Sequence, residues 1–377
     1  MKVAVHHRCA DARSYRSERV KSLFNVDAEH TTRFDLEADL PGLDEPWQIG
    51  VIVGPSGSGK SSLGAAICPF YEPIWPDDIP IIDAIGPDLS FDQITGALSA
   101  VGLGSVPTWL RPYAVLSNGE RFRATLARLV CEAPELAVVD EFSSVVDRQI
   151  ACVGAAAFAK AWRRTSGRAV LLSCHYDILD WVQPDWLYDT ATGSLERGRL
   201  RRRPSIELEI RETDWRYWPL FEPHHYLKLP KMIAARCYVG FVDGQPVAHV
   251  AVTTRPGLVE ARACRLVIMP EWQGIGVGIR FLNAVCEAWA AGDNRFGKPM
   301  PTLFHTSHPG LAAALRRERQ WTQVSGRLHG ETKARSLETL RRSCERGATK
   351  WSTVGAGFGG HFRAVQGFRF LMPEDRT

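Results

Sequence analysis

Between Gly54 and Ser62 the chain reads GPSGSGKSS. Glycines in such a run let successive backbone N–H groups turn toward one anion, and the lysine that follows adds a full positive charge. The chemistry this suits is the cradling of a triphosphate. Gly54, Pro55, Ser56, Gly57, Ser58 and Gly59 then line the loop, Lys60 reaches the β- and γ-phosphates of ATP, Ser61 holds Mg2+ through its hydroxyl, and Ser62 closes the loop. Further on, PELAVVDEF ends an apolar run with Asp140 and Glu141. These adjacent carboxylates are placed to hold the magnesium ion and to polarise an attacking water. A second glycine loop, Gln273-Gly274-Ile275-Gly276-Val277-Gly278, lacks the lysine and serine; its N–H groups suit a pyrophosphate at the start of a helix.

Both loops need a buried strand leading in and a helix leading out. WQIGVIVGPSGSGKSSLGAAI supplies a strand over Ile49–Val53 and a helix opening near Lys60. LSNGERFRATLARLV begins with Leu116, Ser117, Asn118, Gly119 and Glu120 and continues as an amphipathic helix, while LLSCHYD sets His175 just after a strand. Together with the first loop and the acidic pair, these segments resemble the ATP-binding-cassette (ABC) ATPases over roughly residues 1–200. The resemblance implies that Asp147, in SSVVDR, is the D-loop aspartate and that His175 contacts the γ-phosphate. It also implies that Ser117 and Gly119 of one subunit complete the ATP site on the other subunit's loop, so a homodimer through this domain is expected. Leu116 follows Lys60 by only 56 positions, which leaves room for a reduced helical subdomain. The glutamine loop of that family has no clear counterpart, since Gln93 in LSFDQITGAL reads as part of a helix start. Phe24 is a candidate for stacking on adenine, and a core role suits it equally.

In the second half, RCYVGFVDGQPVAHVAVTTRP alternates around Asp243-Gly244, which predicts a β-hairpin. ARACRLVIMP follows as a strand, then the second glycine loop, then the helical pattern of FLNAVCEAWA. Over residues 205–325 this order resembles the GNAT acetyltransferases; an antiparallel hairpin ahead of the loop argues against a dinucleotide-binding βαβ unit. The resemblance implies that Val267, Ile268, Gln273, Gly274, Ile275, Gly276, Val277 and Gly278 receive acetyl-CoA or a related acyl-CoA. Candidates for the acid–base chemistry are His308, beside His305 and Ser307, and His225, beside His224, with Glu271 as a further loop carboxylate. For each histidine a structural role competes with the chemical one. The tail WSTVGAGFGGHFRAVQGFRFLMP exceeds the family pattern and either completes the sheet or covers the substrate site.

The fold class expected is α/β, a P-loop ABC ATPase domain at 1–204 followed by an α+β GNAT-like acyltransferase domain at 205–377 with a C-terminal extension. A length of 377 residues suits two domains, and 45% apolar with 23% charged residues describes globular chains. The longest apolar runs fall far below the roughly 20 residues that cross a bilayer, and the N-terminus lacks the apolar core of a secretory signal. No membrane span and a cytoplasmic location are therefore expected. Nine cysteines without paired spacing fit reduced thiols. Lys and Arg number 22 against 26 Asp and Glu before Ser205, and 24 against 16 from there on, so the second half is the basic one. This excess permits a polyanionic partner, with nucleic acid the one suspected, and the dense run Arg197 to Arg203 reads either as a solvated connector or as a contact to phosphate backbone.

The combined reading is ATP hydrolysis coupled to acetyl-CoA-dependent modification of a base in DNA or RNA, by analogy with the tRNA cytidine acetyltransferase that also joins an NTP-driven module to a GNAT domain. Two alternatives stand beside it. One is a protein or small-molecule N-acetyltransferase with a nucleotide-gated regulatory cassette, the other an ATP-dependent nucleic-acid clamp with a non-catalytic GNAT-like domain.

Overall fold

A computed structural model describes residues 1–9, 14–24, 32–198, 201–226, 231–232, 234–254, 259–327, 342, 345, 365–372 and 374. The chain divides into two compact units. One comprises Met1–Ile74, Ala133–Ala155 and Trp162–Arg203; the other comprises Trp75–Glu132, Ala156–Ala161 and Pro204–Thr377. The change of unit at 203/204 lies beside the division expected at 204/205. Residues 75–132, expected within the first domain, group with the second.

In the first unit, β1 (Lys2–Cys9) and β2 (Thr32–Asp39) pair antiparallel, with helix α1 (Tyr15–Phe24) between them in sequence. The main sheet holds β3 (Ile49–Val53), β4 (Leu136–Val139), β5 (Arg168–Ser173), β6 (Trp186–Asp189) and β7 (Ser194–Arg197) in the order β4-β5-β3-β6-β7. All pairs but β6/β7 are parallel. β3 lies in the middle and every one of its residues is buried, as a strand covered on both faces must be apolar throughout. Ile52, Val138, Val170, Leu172 and Trp186 share a core with Leu63 of α2 (Lys60–Ile67), with Val3 and Val5 of β1, and with Leu40 just after β2.

The first long helices of the second unit are α3 (Phe91–Ala100) and α4 (Asn118–Glu132). Part of α5 (Arg148–Trp162) is assigned to it, the first half of that helix belonging to the other unit. Its sheet contains β8 (Glu209–Thr213), β9 (Arg236–Val242), β10 (Gln245–Thr254), β11 (Ala261–Ile268), β12 (Thr302–Thr306), β13 (Trp321–Arg327) and β14 (Val365–Phe370), in the order β13-β14-β12-β11-β10-β9-β8. Only β11 and β12 are parallel, and α6 (Val277–Ala291) makes the crossover that parallel neighbours require. α7 (Pro309–Arg317) follows β12. The predicted hairpin joins β9 and β10, with Asp243 at φ +49° and Gly244 at φ +76°, the left-handed pair that a two-residue turn demands. Phe281, Leu282, Val285 and Trp289 of α6 pack with Val250, Phe304, Trp321 and Phe368 from the sheet. The tail's last strand, β14, sits between β12 and β13; its glycine-rich part, 351–364, lies outside the described residues, as do 199–200 in the basic run. Among the described residues no helix is long and apolar enough to cross a membrane.

Candidate functional site

The first glycine loop leaves β3 at Val53 and enters α2 at Lys60. The Lys60 ammonium donates to the carbonyl oxygens of Gly54 (2.8 Å) and Pro55 (2.7 Å), so the charge is folded over the loop that the phosphates would fill. Ser61 Oγ donates to Asp140 Oδ1 at 3.1 Å, and the Glu141 N–H donates to the same oxygen at 2.8 Å. A hydroxyl and a carboxylate side by side are the hard oxygen donors that Mg2+ takes alongside phosphate and water, so Ser61 and Asp140 fit that ion. Ser58 Oγ donates to the Pro55 carbonyl at 2.8 Å and shares a 2.6 Å hydrogen bond with Thr190 Oγ1, which fixes the far side of the loop; Pro55, Ser56 and Gly57 are exposed.

Glu141 is exposed with φ +46°, a left-handed conformation that costs a non-glycine residue of order 1–3 kcal/mol and recurs at functional sites. His175 is half-buried and its N–H donates to Ser173 Oγ at 3.1 Å. Asp147 caps α5, accepting from the Gln149 N–H at 2.8 Å. Arg148 pairs with Asp177, and this guanidinium holds the Asp177 carboxyl below its usual range. In the second unit, Ser117 accepts from the N–H of Glu120 (3.4 Å) while Glu120 accepts from Ser117 N–H and Oγ (both 2.9 Å). That is a capping box at the start of α4, and it leaves Ser117 and Asn118 exposed at the helix tip.

Two side chains sit where the sequence pattern gave little sign of them. Phe34 of β2 lies under the loop: a Cβ on Gly59 would stand 2.5 Å from its Cζ. His7 of β1 stacks beside Phe34 with ring centroids 6.3 Å apart and hydrogen-bonds Ser62 Oγ at 2.9 Å through Nε2. Phe24, by contrast, is exposed on α1. Gln93 is an exposed capping residue, accepting from Ser90 N–H (2.9 Å) and Oγ (2.7 Å) at the start of α3.

The second glycine loop lies at the end of β11, where β11 and β12 pair only over 261–263 and 302–304 and then part. The pairing of β10 with β11 shifts between His249 and Ala251, and Arg265 takes φ +56° there, as a residue inserted in a bulge does. Val267 is buried and Ile268 half-buried. Gly276 is the left-handed N-cap of α6, and open space surrounds the position its Cβ would take. The N–H groups of the first helical turn, at Val277 and Gly278, have no acceptor within the helix. Gln273 is committed at both ends: Nε2 donates to the Ile268 carbonyl at 2.8 Å, and Oε1 accepts from the Gly104 N–H at 3.0 Å.

The histidine candidates do not converge on this loop as free bases. His308 Nδ1 accepts from the Leu311 N–H at 3.2 Å as the cap of α7, so Nε2 carries the proton and donates to the Gly104 carbonyl at 3.1 Å. Burial holds its imidazole below the ordinary range. In this arrangement both ring nitrogens of His308 are engaged, one by the start of α7 and one by Gly104. His225 is buried with its ring 5.6 Å from Trp218 and 5.1 Å from Tyr226. Sequence reasoning passed over His249 on β10, which is fully buried among Trp215, Trp218 and Phe221. Three of the described arginines in the Arg197–Arg203 run have partners in their own unit: Arg197 with Glu45, Arg201 with Asp180, and Arg203 with the Trp181 carbonyl.

No protein-family model matches the chain. It is 31% identical over 157 residues to the zinc import ATP-binding protein ZnuC of Jannaschia sp. (strain CCS1), covering 35% of this chain and 63% of that protein. With ZnuC of Pseudomonas aeruginosa (strain UCBPP-PA14) it shares 30% over 142 residues, covering 30% and 52%. These likenesses support an ABC-type ATPase cassette. The chain spans roughly half to two-thirds of the length of these relatives, and zinc import belongs to them. Among solved structures, a putative cobalt transport ATP-binding protein superposes with TM-score 0.36 and 18% identity, over 57% of this chain and 85% of that one. The cassette MJ0796 bound to ADP and Pi, a dimer, superposes with TM-score 0.36 and 11% identity, over 52% and 98%.

Proposed function

We propose that the chain is an ATP-hydrolysing, acyl-CoA-dependent acyltransferase that acts on a base of DNA or RNA, working as a homodimer through its cassette. The observation that carries the transferase half is the loop Gln273–Gly278, which opens α6 beside the parting of β11 and β12. Unpaired N–H groups at a helix start, with the positive end of the helix dipole behind them, suit a pyrophosphate. The parting strands leave backbone groups beside that start to meet the pantetheine arm and the thioester.

In the cassette, Lys60 and the loop N–H groups neutralise phosphate charge, Ser61 and Asp140 hold Mg2+, and Glu141 orients the attacking water. His175 and Asp147 stand on the same unit to meet the γ-phosphate and the dimer partner. Ser117 and Gly119, at the exposed start of α4, serve the opposing subunit's nucleotide. In the transferase half, the acceptor's nitrogen attacks the thioester carbonyl carbon, the nitrogen–carbon bond forms as the carbon–sulfur bond breaks, and the proton lost by the nitrogen ends on the departing sulfur, so that CoA leaves as the free thiol. ATP hydrolysis opens or remodels an acceptor that would otherwise be closed to the site.

The ion pairs that Arg197 and Arg201 make with Glu45 and Asp180 favour a second reading, in which the acceptor is a protein or small molecule and the cassette is a nucleotide gate. Mass spectrometry of nucleosides from DNA and RNA of cells with and without the chain separates the two. An acetyl adduct present only with the chain is expected. No adduct in either nucleic acid, with acetyl transfer to protein instead, rules out the nucleic-acid acceptor.

A further inference from the structure

Within the second unit, the segment after α3 is built onto the second glycine loop. Gly102 and Gly274 meet backbone to backbone: a Cβ on Gly102 would lie 2.5 Å from the Gln273 carbonyl oxygen, and one on Gly274 would lie 3.0 Å from Gly102 Cα and N. Gly104 is held from both sides, its N–H donating to Gln273 Oε1 and its carbonyl accepting from His308. On α7, a Cβ at Gly310 would meet Ser99 of α3 at 2.3 Å from its Cβ. The bridge is Arg123, on the helix that begins with Ser117 and Gly119. Its Nη1 donates to the Gly102 carbonyl at 2.8 Å and to the Pro270 carbonyl at 2.5 Å.

Arg123 is 4% exposed, burial brings its guanidinium down to about 10, and Glu271 and Glu120 are its countercharges. Its Nε and Nη2 have no hydrogen-bond partner among the described residues. A buried guanidinium bonded through one nitrogen cannot give up those two carbonyls without leaving its charge unsatisfied. Motion of α4 must therefore carry Pro270–Gln273 with it.

We infer that α4 and the Gln273–Gly278 loop move as one body through Arg123, Gly102 and Gly104, so that nucleotide engaged at Ser117 and Gly119 resets the affinity of the loop for acyl-CoA. This rests on the acyl-CoA reading of the loop. Linkage makes the effect mutual: acyl-CoA shifts ATP affinity by the same factor, and couplings of this kind typically span about 5- to 150-fold.

The test uses the full chain carrying Glu141→Gln, with two readouts. Acetyl-CoA affinity is measured by calorimetry with and without Mg·ATP, and backbone hydrogen exchange is followed at 268–276. A change in acetyl-CoA Kd of about 5-fold or more is expected on adding Mg·ATP, along with altered exchange in that segment. Arg123→Met, and independently Gly104→Ala, whose Cβ would press Gln273 Oε1 at 2.7 Å, should reduce the Kd change to about 2-fold or less and blunt the exchange difference while ATP still binds. Unchanged exchange and unchanged Kd, with acetyl-CoA bound in both states, overturn the coupling and leave the acyl-CoA reading standing. Altered exchange with no acetyl-CoA bound in either state overturns the acyl-CoA reading, and with it the effect on affinity.

Discussion

Gly102 and Gly274 stand face to face at φ +87° and +92°: a Cβ on Gly274 would lie 3.0 Å from Gly102 Cα, and one on Gly102 would lie 2.5 Å from the carbonyl oxygen of Gln273, the residue before Gly274. One belongs to the turn after α3, the other to the loop before α6, and their contact ties the helical segment 75–132 to the sheet of the same unit. Gly102→Ala is expected to destabilise this unit by about 2 kcal/mol or more, combining left-handed strain with a clash against backbone. Gly276→Ala, at φ +91° but with open space around it, should cost about 1 kcal/mol from strain alone. Urea unfolding of the two variants checks the order; equal losses would deny the close packing.

Lys60→Ala removes the charge that lies over Gly54 and Pro55. ATP affinity should fall by about 100-fold, the loss of a charge-assisted contact of roughly 3 kcal/mol, while acetyl-CoA affinity without nucleotide stays as it was. Calorimetry with each ligand in turn makes the comparison, and a joint loss would mean that the two loops do not serve separate ligands.

Glu141→Gln keeps the Asp140 and Ser61 oxygens in place but removes the carboxylate that orients water. Hydrolysis should fall by 10²-fold or more, on the order of a lost general base, and the ATP-bound form should run as a dimer in size-exclusion chromatography. A variant that stays monomeric with ATP would refute the cassette dimer.

Burial takes the His249 imidazole from 6.5 to about 4, with only the hydrogen bond from Nδ1 to the Arg265 carbonyl opposing it. The folded state keeps the ring neutral while the unfolded chain takes up a proton as pH drops through 6.5. Stability fully present above pH 6.5 is therefore lost progressively toward pH 4, by up to about 3 kcal/mol. His249→Leu should flatten the fall in Tm between pH 7 and pH 4.5 relative to the parent chain, and an unchanged slope would show that other groups carry the acid sensitivity.

Where the information is local, the sequence was readable. Ile49–Val53 is apolar at every position except glycine, Asp243-Gly244 is among the few pairs that a two-residue hairpin turn favours, and Gly276 marks the start of α6. The partnership of Gly104 with Gln273 joins residues 169 positions apart and leaves no periodicity behind, so 75–132 read as belonging to the first half. Arg123 looked like one of several arginines on an amphipathic helix; only the fold shows that it turns inward. His308 was singled out for its residue type, but its ring nitrogens serve α7 and Gly104, a commitment that depends on neighbours from distant segments. Phe34 and His7 were unremarkable in alternating strands until β1 and β2 paired and brought both to the loop.

Acetyl transfer is tested most directly with purified chain, Mg·ATP, radiolabelled acetyl-CoA and total DNA or RNA, scoring label in the nucleic acid. Label that needs both ATP and acetyl-CoA, and disappears with Lys60→Ala and with Gly276→Leu, is the expected result. Active ATP hydrolysis with no label in DNA or RNA under any of these conditions would contradict it.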